Sequence, residues 1–317
     1  MPLRFTLRQL EYFVAVGEEG SIAQAAGKVN VSSPSISAAI TQMEAEFGLQ
    51  LFARKHAHGL ALTQAGRQFL VQAKTVLAEA DRLNSLANEI TGRVRGPLNV
   101  GCLLTFAQIV LPHLRRSFIS RFPEVQFHQF ERDQQAIFDG LRDAEIDIAL
   151  TYDLDIPPDL EFVPLFNLPP YALLPDTHDL ANRRMLSPED LAPYPMVLLD
   201  LPHSGPYFLS FFAEAGIEPN IVERTRDLEV MRSLVANGFG FSIANIRHTS
   251  ERAPDGKPLR FVPLSDRLRA LRMGMVLAGG VKNTLTVRAL IDHCKENLTP
   301  ELTPGLKVRG AGGFRDA

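Results

Sequence analysis

The chain has 317 residues, 45% of them hydrophobic and 22% charged, with two cysteines and a formal net charge of −3. That length exceeds one typical domain, and the balance is that of a folded chain rather than a disordered one. Two cysteines, Cys102 and Cys294, exclude a disulfide framework, and no run approaches the ~18 apolar residues of a membrane span. Arg4, Arg8 and Glu11 interrupt any apolar N-terminal core, so no signal peptide is expected and the chain reads as cytoplasmic. Charge is unevenly divided: residues 1–95 hold 10 Lys/Arg against 8 Asp/Glu, a balance of +2 that leaves −5 for the rest. The sign suits nucleic acid, but the size is small. Enough phosphate contacts would accumulate only in an assembly of several copies.

In chain order, Leu7, Leu10, Phe13 and Val14 predict an amphipathic helix over 5–18. Ser21 then caps a short helix over 21–29 whose stripe is Ile22, Ala25, Ala26 and Val29. Asn30 suits a turn, and Ser32, Ser33 and Pro34 open a third helix over 33–47, with Ile36, Ile40, Met43 and Phe47 inward. Ser33, Ser35, Ser37, Ala38, Thr41 and Gln42 stay outside, all short or uncharged. Such a face behind a tight turn is what a major groove admits. From these residues alone, an ordinary helical hairpin with a solvated face fits equally well.

Gly48 closes the third helix, and Leu51-Phe52 and Leu60–Leu62 read as two short strands around a basic wing with Arg54, Lys55 and His56. His56 and His58 lack a third ligand nearby, so no metal is expected. Residues 29–53 contain no Lys or Arg, which leaves the phosphate grip to Lys28, Arg54, Lys55 and Arg67. Thr63 caps a long helix to about Gly92. Its seam is Phe69, Ala73, Val76, Ala80, Leu83, Ala87 and Ile90, spaced 4 and 3 and widened by Leu70 and Leu77. A second copy of the helix is the natural partner for that stripe, so a homodimer is expected.

The register of Leu7-Arg8-Gln9-Leu10, Gly20-Ser21, Ala25-Ala26, Ser32, Pro34, Ile36-Ser37, Ile40, Glu44, Leu51-Phe52, Arg54, Leu62-Thr63 and Ala65-Gly66 resembles the winged helix-turn-helix of LysR-type transcriptional regulators. The resemblance implies a DNA-binding domain over 1–63 and a linker helix over 64–92 that pairs two subunits. In relatives the position between Ser32 and Pro34 is usually Gln and the one after Ser37 often Arg. Here they are Ser33 and Ala38, so base readout falls to hydroxyls, Gln42 and methyl contacts.

Residues 91–97 read as a hinge, after which strands and helices alternate to about residue 297. Strands are predicted at 98–102, 125–130, 146–152, 160–165, 171–174, 196–199, 221–224, 241–246, 259–263 and 272–277. Helices fall at 105–120, 133–143, 205–215, 228–237 and 283–297. Alternation of this kind predicts parallel sheets with crossover helices. The order, with Gly101, Leu111-Pro112, Gly140-Leu141, Ile146–Ala149 and Val235–Phe241, also resembles the family's effector-binding domain. The resemblance implies a two-lobed fold like the periplasmic binding proteins over 93–298. Lobe I would be 97–165 with 270–298, lobe II 166–269, and 299–317 a flexible tail.

The whole is thus expected to be an α+β multidomain chain: an all-α winged helix-turn-helix, a long linker helix, then an α/β two-lobed domain. Ligands of open α/β sheets bind beyond the carboxyl ends of strands. Here that selects Leu104, Thr105 and Phe106, Asp133 and Gln134, and Tyr152 in lobe I, and Pro202, His203 and Ser204 with Asp227 and Leu228 in lobe II. Helix N-termini and a Thr105 hydroxyl suit a small organic acid or other anion, although Thr105, Ser204 and Asp227 serve equally well as helix caps. No catalytic triad, nucleophile elbow or dinucleotide loop is present, so no enzyme and no cofactor are expected. The reading is a LysR-type regulator that binds double-stranded DNA as a dimer or tetramer under control of a small molecule. The alternative is a two-lobed binding protein without a DNA role.

Overall fold

The chain divides into two compact units, residues 1–92 and residues 93–317. This computed structural model describes residues 4–54, 59–279 and 284–299.

The first unit opens with α1 (Leu7–Glu19), capped by Thr6 in a reciprocal box with Gln9. Next come α2 (Ile22–Lys28) behind Ser21 and α3 (Ser33–Phe47) behind Ser32. Asn30 takes the left-handed turn at φ 53°, and Gly48 ends α3 at φ 63°. Phe13, Ile36, Met43 and Leu51 form the buried centre. The wing is β1 (Phe52–Arg54) antiparallel to β2 (Leu60–Leu62), so the expected strand at Leu51-Phe52 begins one residue later. The Leu60 N–H donates to the Gly20 carbonyl at 2.9 Å. A Cβ on Gly59 would stand 2.5 Å from that same oxygen, at φ 89°, so only glycine lets the wing return there.

Thr63 Oγ1 accepts the Gly66 N–H at 2.9 Å and starts α4 (Gln64–Thr91). The apolar seam of α4 divides in two. Phe69 packs edge-on to Phe13 and Phe47 at 5.3 and 4.8 Å, Ala73 is buried, and Leu77 lies on the same cluster. These three belong to the unit's own core. Ala80 is half-buried, and Ala87 lies on the helix with its side chain outside the described residues. Val76, Leu83, Leu86 and Ile90 stand exposed at 41, 68, 52 and 78%.

In the second unit β3 (Gly96–Leu103), α5 (Leu104–Arg121), β4 (Val125–Arg132), α6 (Gln134–Arg142), β5 (Ile148–Tyr152) and β6 (Leu160–Leu168) follow in order. Gly96 and Pro97, expected in the hinge, already pair with Val125 and Gln126, so the connection shrinks. The chain then builds β7 (Tyr171–Pro175), α7 (Pro188–Leu191), β8 (Met196–Leu199), α8 (Ser204–Glu214), β9 (Ile221–Thr225), α9 (Leu228–Ala236), β10 (Ser242–Ala244) and β11 (Leu259–Pro263). It returns through β12 (Leu271–Ala278) to α10 (Leu285–Asn297). The turn of helix α7 was not expected, although Ser187 and Asp190 form its capping box.

The sheets are mixed rather than parallel. The lobe I sheet has the order β4-β3-β5-β12-β6, with β3 parallel to β4 and β5 but β12 antiparallel to both β5 and β6. The reason is the double passage between lobes: the chain leaves on β6 and comes back on β12, and a returning strand must run the opposite way. In lobe II, β7 is antiparallel to β10 and β11, and β8 is parallel to β9. The Val197 N–H donates to the Phe241 carbonyl at 2.7 Å and joins the two sets. Side chains there alternate between two cores. Ala172, Leu174, Met196 and Leu198 enter the large core with α8, while Tyr171, Leu173, Val197 and Leu199 face α9.

Candidate nucleic-acid interface and effector cleft

On α3 the exposed face is Pro34, Ser35, Ser37, Ala38, Thr41 and Gln42, as the periodicity requires once Ile36, Ala39, Ile40 and Met43 are buried. Several of its polar groups are already engaged. Ser32 accepts the Ser35 N–H at 3.3 Å and bonds the Ser35 hydroxyl at 2.8 Å. Thr41 donates to the Ser37 carbonyl at 2.9 Å, which leaves its oxygen lone pairs and methyl outward. Gln42 Oε1 accepts from Gln9 Nε2 at 2.9 Å. Ser33 is half-buried and Ser37 exposed. Ser21 caps α2, accepting the Gln24 N–H at 3.5 Å.

The cations are placed less simply than their sequence positions suggest. Lys28 Nζ lies 2.9 Å from Glu18 and 3.0 Å from Glu19, whose carboxylates hold its ammonium above the ordinary range. It staples α2 to the end of α1 instead of standing free for a phosphate. Arg67 is exposed and donates to the Leu62 carbonyl at 3.0 Å, beside the wing. Arg54 ends β1, and Lys55 and His56 lie outside the described residues.

Two functional positions escaped sequence reasoning on physical grounds. One is Gln9, which the sequence marks only within the family resemblance and whose partner lies 33 residues away. The other is Glu44, whose Oε1 accepts the N–H groups of Leu51 and Phe52 at 2.7 and 3.1 Å. That carboxylate locks the far end of α3 to the first strand of the wing. Glu44→Ala is expected to orphan both donors and cost the first unit ~2–3 kcal/mol in denaturant unfolding, with Glu44→Gln costing under ~1.

In the second unit Thr105, Phe106, Gln134 and Tyr152 come together at the carboxyl ends of β3 and β5. The Phe106 and Tyr152 rings meet edge-on at 5.2 Å. Gln134 Nε2 donates to the Leu154 carbonyl at 2.5 Å and the Tyr152 carbonyl at 3.4 Å. Burial pushes the Tyr152 phenol well above its usual range, opposed by the Thr105 hydroxyl beside it. That hydroxyl is buried against the phenol, and among the described residues it meets no group at full hydrogen-bond geometry. No side chain caps α5, so Thr105 sits at an open helix N-terminus rather than serving as its cap. Leu104 is exposed, and Phe106 is a core residue.

At the start of α8, His203 holds φ 65° and its Nδ1 pairs with Asp155 Oδ2 at 2.8 Å, its ring 5.8 Å from Phe138. Pro202 is exposed. Ser204 begins α8, where its N–H and that of Gly205 are spent on the Pro202 and Leu201 carbonyls and Pro206 has none. The first turn of α8 therefore offers no anion site. Asp133 caps α6 through the Ala136 N–H at 2.9 Å, and Asp227 caps α9 through Glu229 and Val230 at 2.8 and 3.0 Å. Each carboxylate fills the helix end that a ligand would need. Asp227 also lines a separate cavity of about 430 Å³ on the outer face of α9 with Val230, Leu234 and Phe239, while Leu228 is core. Among the described residues no His, Cys, Asp or Glu cluster is gathered to hold a metal ion, and no helix is long and apolar enough to cross a membrane.

Two family models match this arrangement. The model for the bacterial regulatory helix-turn-helix protein, lysR family, covers residues 7–67, and the LysR substrate binding domain covers 91–299. The chain belongs to the LysR family of transcriptional regulators. The HTH-type transcriptional regulator CysB of Haemophilus influenzae is 30% identical over 248 residues, 77% of either chain. A hydrogen peroxide-inducible genes activator of Escherichia coli O157:H7 is 29% identical over 75% of this chain and 78% of its own. The crystal structure of HinK, a LysR family regulator from Pseudomonas aeruginosa, matches with TM-score 0.62 and 34% identity over 93% of this chain and 99% of that one. LysR regulators bind DNA and small-molecule effectors and oligomerise, and this chain is a regulator rather than an enzyme.

Proposed function

We propose that this regulator reads DNA through the exposed face of α3, with Arg54, Lys55, His56 and Arg67 near the phosphates. A small organic acid or other anion, bound beside Thr105, controls it. The observation that carries the ligand reading is the buried Thr105 hydroxyl, set beside the Tyr152 phenol at the N-terminus of α5, which no side chain caps. Free N–H groups, a hydroxyl and the positive end of an 18-residue helix favour a carboxylate. The described clusters that could have competed for the anion, at α6 and α9, carry their own aspartates.

The peroxide response named for one relative is not the reading here. Cys102 and Cys294 are buried in the lobe I core, and burial pushes both thiols well above their usual range. A peroxide-reactive cysteine needs an accessible thiolate.

Coupling needs an element with two arrangements that the effector binds unequally, and the short connection at 92–95 is the candidate. Dimers form along the exposed stretch of α4 and pair into tetramers, in the cytoplasm. The test is a footprint on DNA upstream of the protein's own gene, with and without a panel of small organic acids. Protection that changes length or bend with one compound supports the reading, and no protection at low salt defeats it. Thr105→Val is expected to weaken the effector response at least ~10-fold with DNA affinity unchanged. A normal response in that variant would remove Thr105 from the site.

A further inference from the structure

Three side chains at the junction of α1 and α3 form a directional relay. The Thr6 N–H donates to Gln9 Oε1 at 2.8 Å, and the Thr6 hydroxyl lies 3.3 Å from the same oxygen. With its carbonyl so occupied, Gln9 can offer only Nε2 to its next neighbour. It does so to Gln42 Oε1 at 2.9 Å. The carbonyl end of Gln42 is thereby turned back toward α1. Its amide NH₂, which donates to no group among the described residues, is left on the exposed face that carries Ala38 and Thr41. A second tie, Arg4 to Glu46 at 3.5 Å, holds the start of α1 along the same side of α3.

An unrestrained glutamine reads adenine by accepting from N6 and donating to N7 at once. Gln42 Oε1 is instead aimed at Gln9, so the amide cannot present its carbonyl and its NH₂ together to one base edge. What remains is a donor with two hydrogens, and the base edge that offers two acceptors in the major groove is guanine, through O6 and N7. We infer that the Gln9–Gln42 relay makes Gln42 a donor-only reader, selecting guanine over adenine at the base pair it faces. The inference rests on the reading of α3 as the groove helix. It assigns to Gln9, a residue of α1, the role of setting that specificity from behind.

The experiment is selection of binding sites by the full chain from a pool of random duplexes, followed by titration of probes differing at the one base pair, all at the same salt concentration. The wild-type chain should prefer guanine about tenfold at one position of each half-site, and Gln42→Ala should erase that preference alone. Gln9→Glu is the decisive variant. Glutamate keeps the capping box with Thr6, so α1 stays intact. Its carboxylate cannot donate to Gln42 and must accept from it. That turns the Gln42 carbonyl outward and shifts the preference to cytosine or adenine, whose exocyclic amines donate. A Gln9→Glu chain that keeps the wild-type guanine preference would overturn the relay, as would a Gln42→Ala profile identical to wild type. A wild-type chain that enriches no sequence would fail earlier, by removing the DNA-reading role of α3 itself.

Discussion

Aspartate placed at both Leu83 and Ile90 is expected to halve the sedimentation mass, lower operator affinity at least ~100-fold and leave the winged unit folded. The argument starts from exposure. Val76, Leu83 and Ile90 recur at seven-residue intervals on α4 and stand 41, 68 and 78% exposed, with Leu86 on the same side at 52%. A run of large apolar side chains at heptad spacing in water marks an unfilled interface, and each such residue contributes roughly 1.5–3 kcal/mol when fully buried. Two carboxylates per chain would have to be desolvated against their twins, which a helix pair cannot offset. DNA affinity follows because joining two winged units makes the second half-site contact intramolecular, an effect of ~10²–10⁴. The choice of residues matters. Phe69, Ala73 and Leu77 lie on the same stripe, but a charge there would enter the cluster around Phe13 and Phe47 and unfold the unit. Unchanged mass in the Leu83/Ile90 variant would dismiss α4 as the dimer element.

That division of α4 shows what the sequence could and could not reveal. Periodicity marks a stripe, and it is silent on where along the helix the stripe stops meeting its own domain. Helix limits were legible because their chemistry is local: Ser21, Ser32 and Thr63 carry caps, and Gly48 carries a left-handed stop. The strands Met196–Leu199 and Leu259–Pro263 stand where their apolar runs put them. Strand direction was not legible, because alternation of strand and helix encodes order alone. The same limit applied to polar side chains. Asp133, Asp227 and Thr105 all precede or open helices and look equivalent as sequence. Only the fold shows two of them satisfied as caps and the third buried beside the Tyr152 phenol at an uncapped helix start. Lys28 looked free because its partners, Glu18 and Glu19, sit across the α1–α2 turn.

Acid should unfold the second unit earlier than a carboxylate-only account predicts, and His248 is the main reason. Its Nε2 lies 3.2 Å from Glu229 Oε1 with its side chain 17% exposed, while Arg232, buried beside it, holds the other oxygen of Glu229 at 3.3 Å. Burial first, and the Arg232 charge second, push His248 from 6.5 down to about 4. Burial also lowers His178 and His293. A group whose folded pKa is depressed binds its proton more readily when unfolded. The stability it contributes is complete above 6.5 and is lost as pH falls from there toward the folded value. A shift of this size corresponds to ~3 kcal/mol as an upper bound, nearer ~1–2 once solvent screening is counted. The melting temperature of the unit should therefore hold between pH 8 and 7 and fall steeply between 6.5 and 4. His248→Gln should flatten that fall whatever its offset at neutral pH. Stability that rises on acidification through this window would mean the opposite balance, a protonated His248 gaining more from Glu229 than it loses to burial and Arg232.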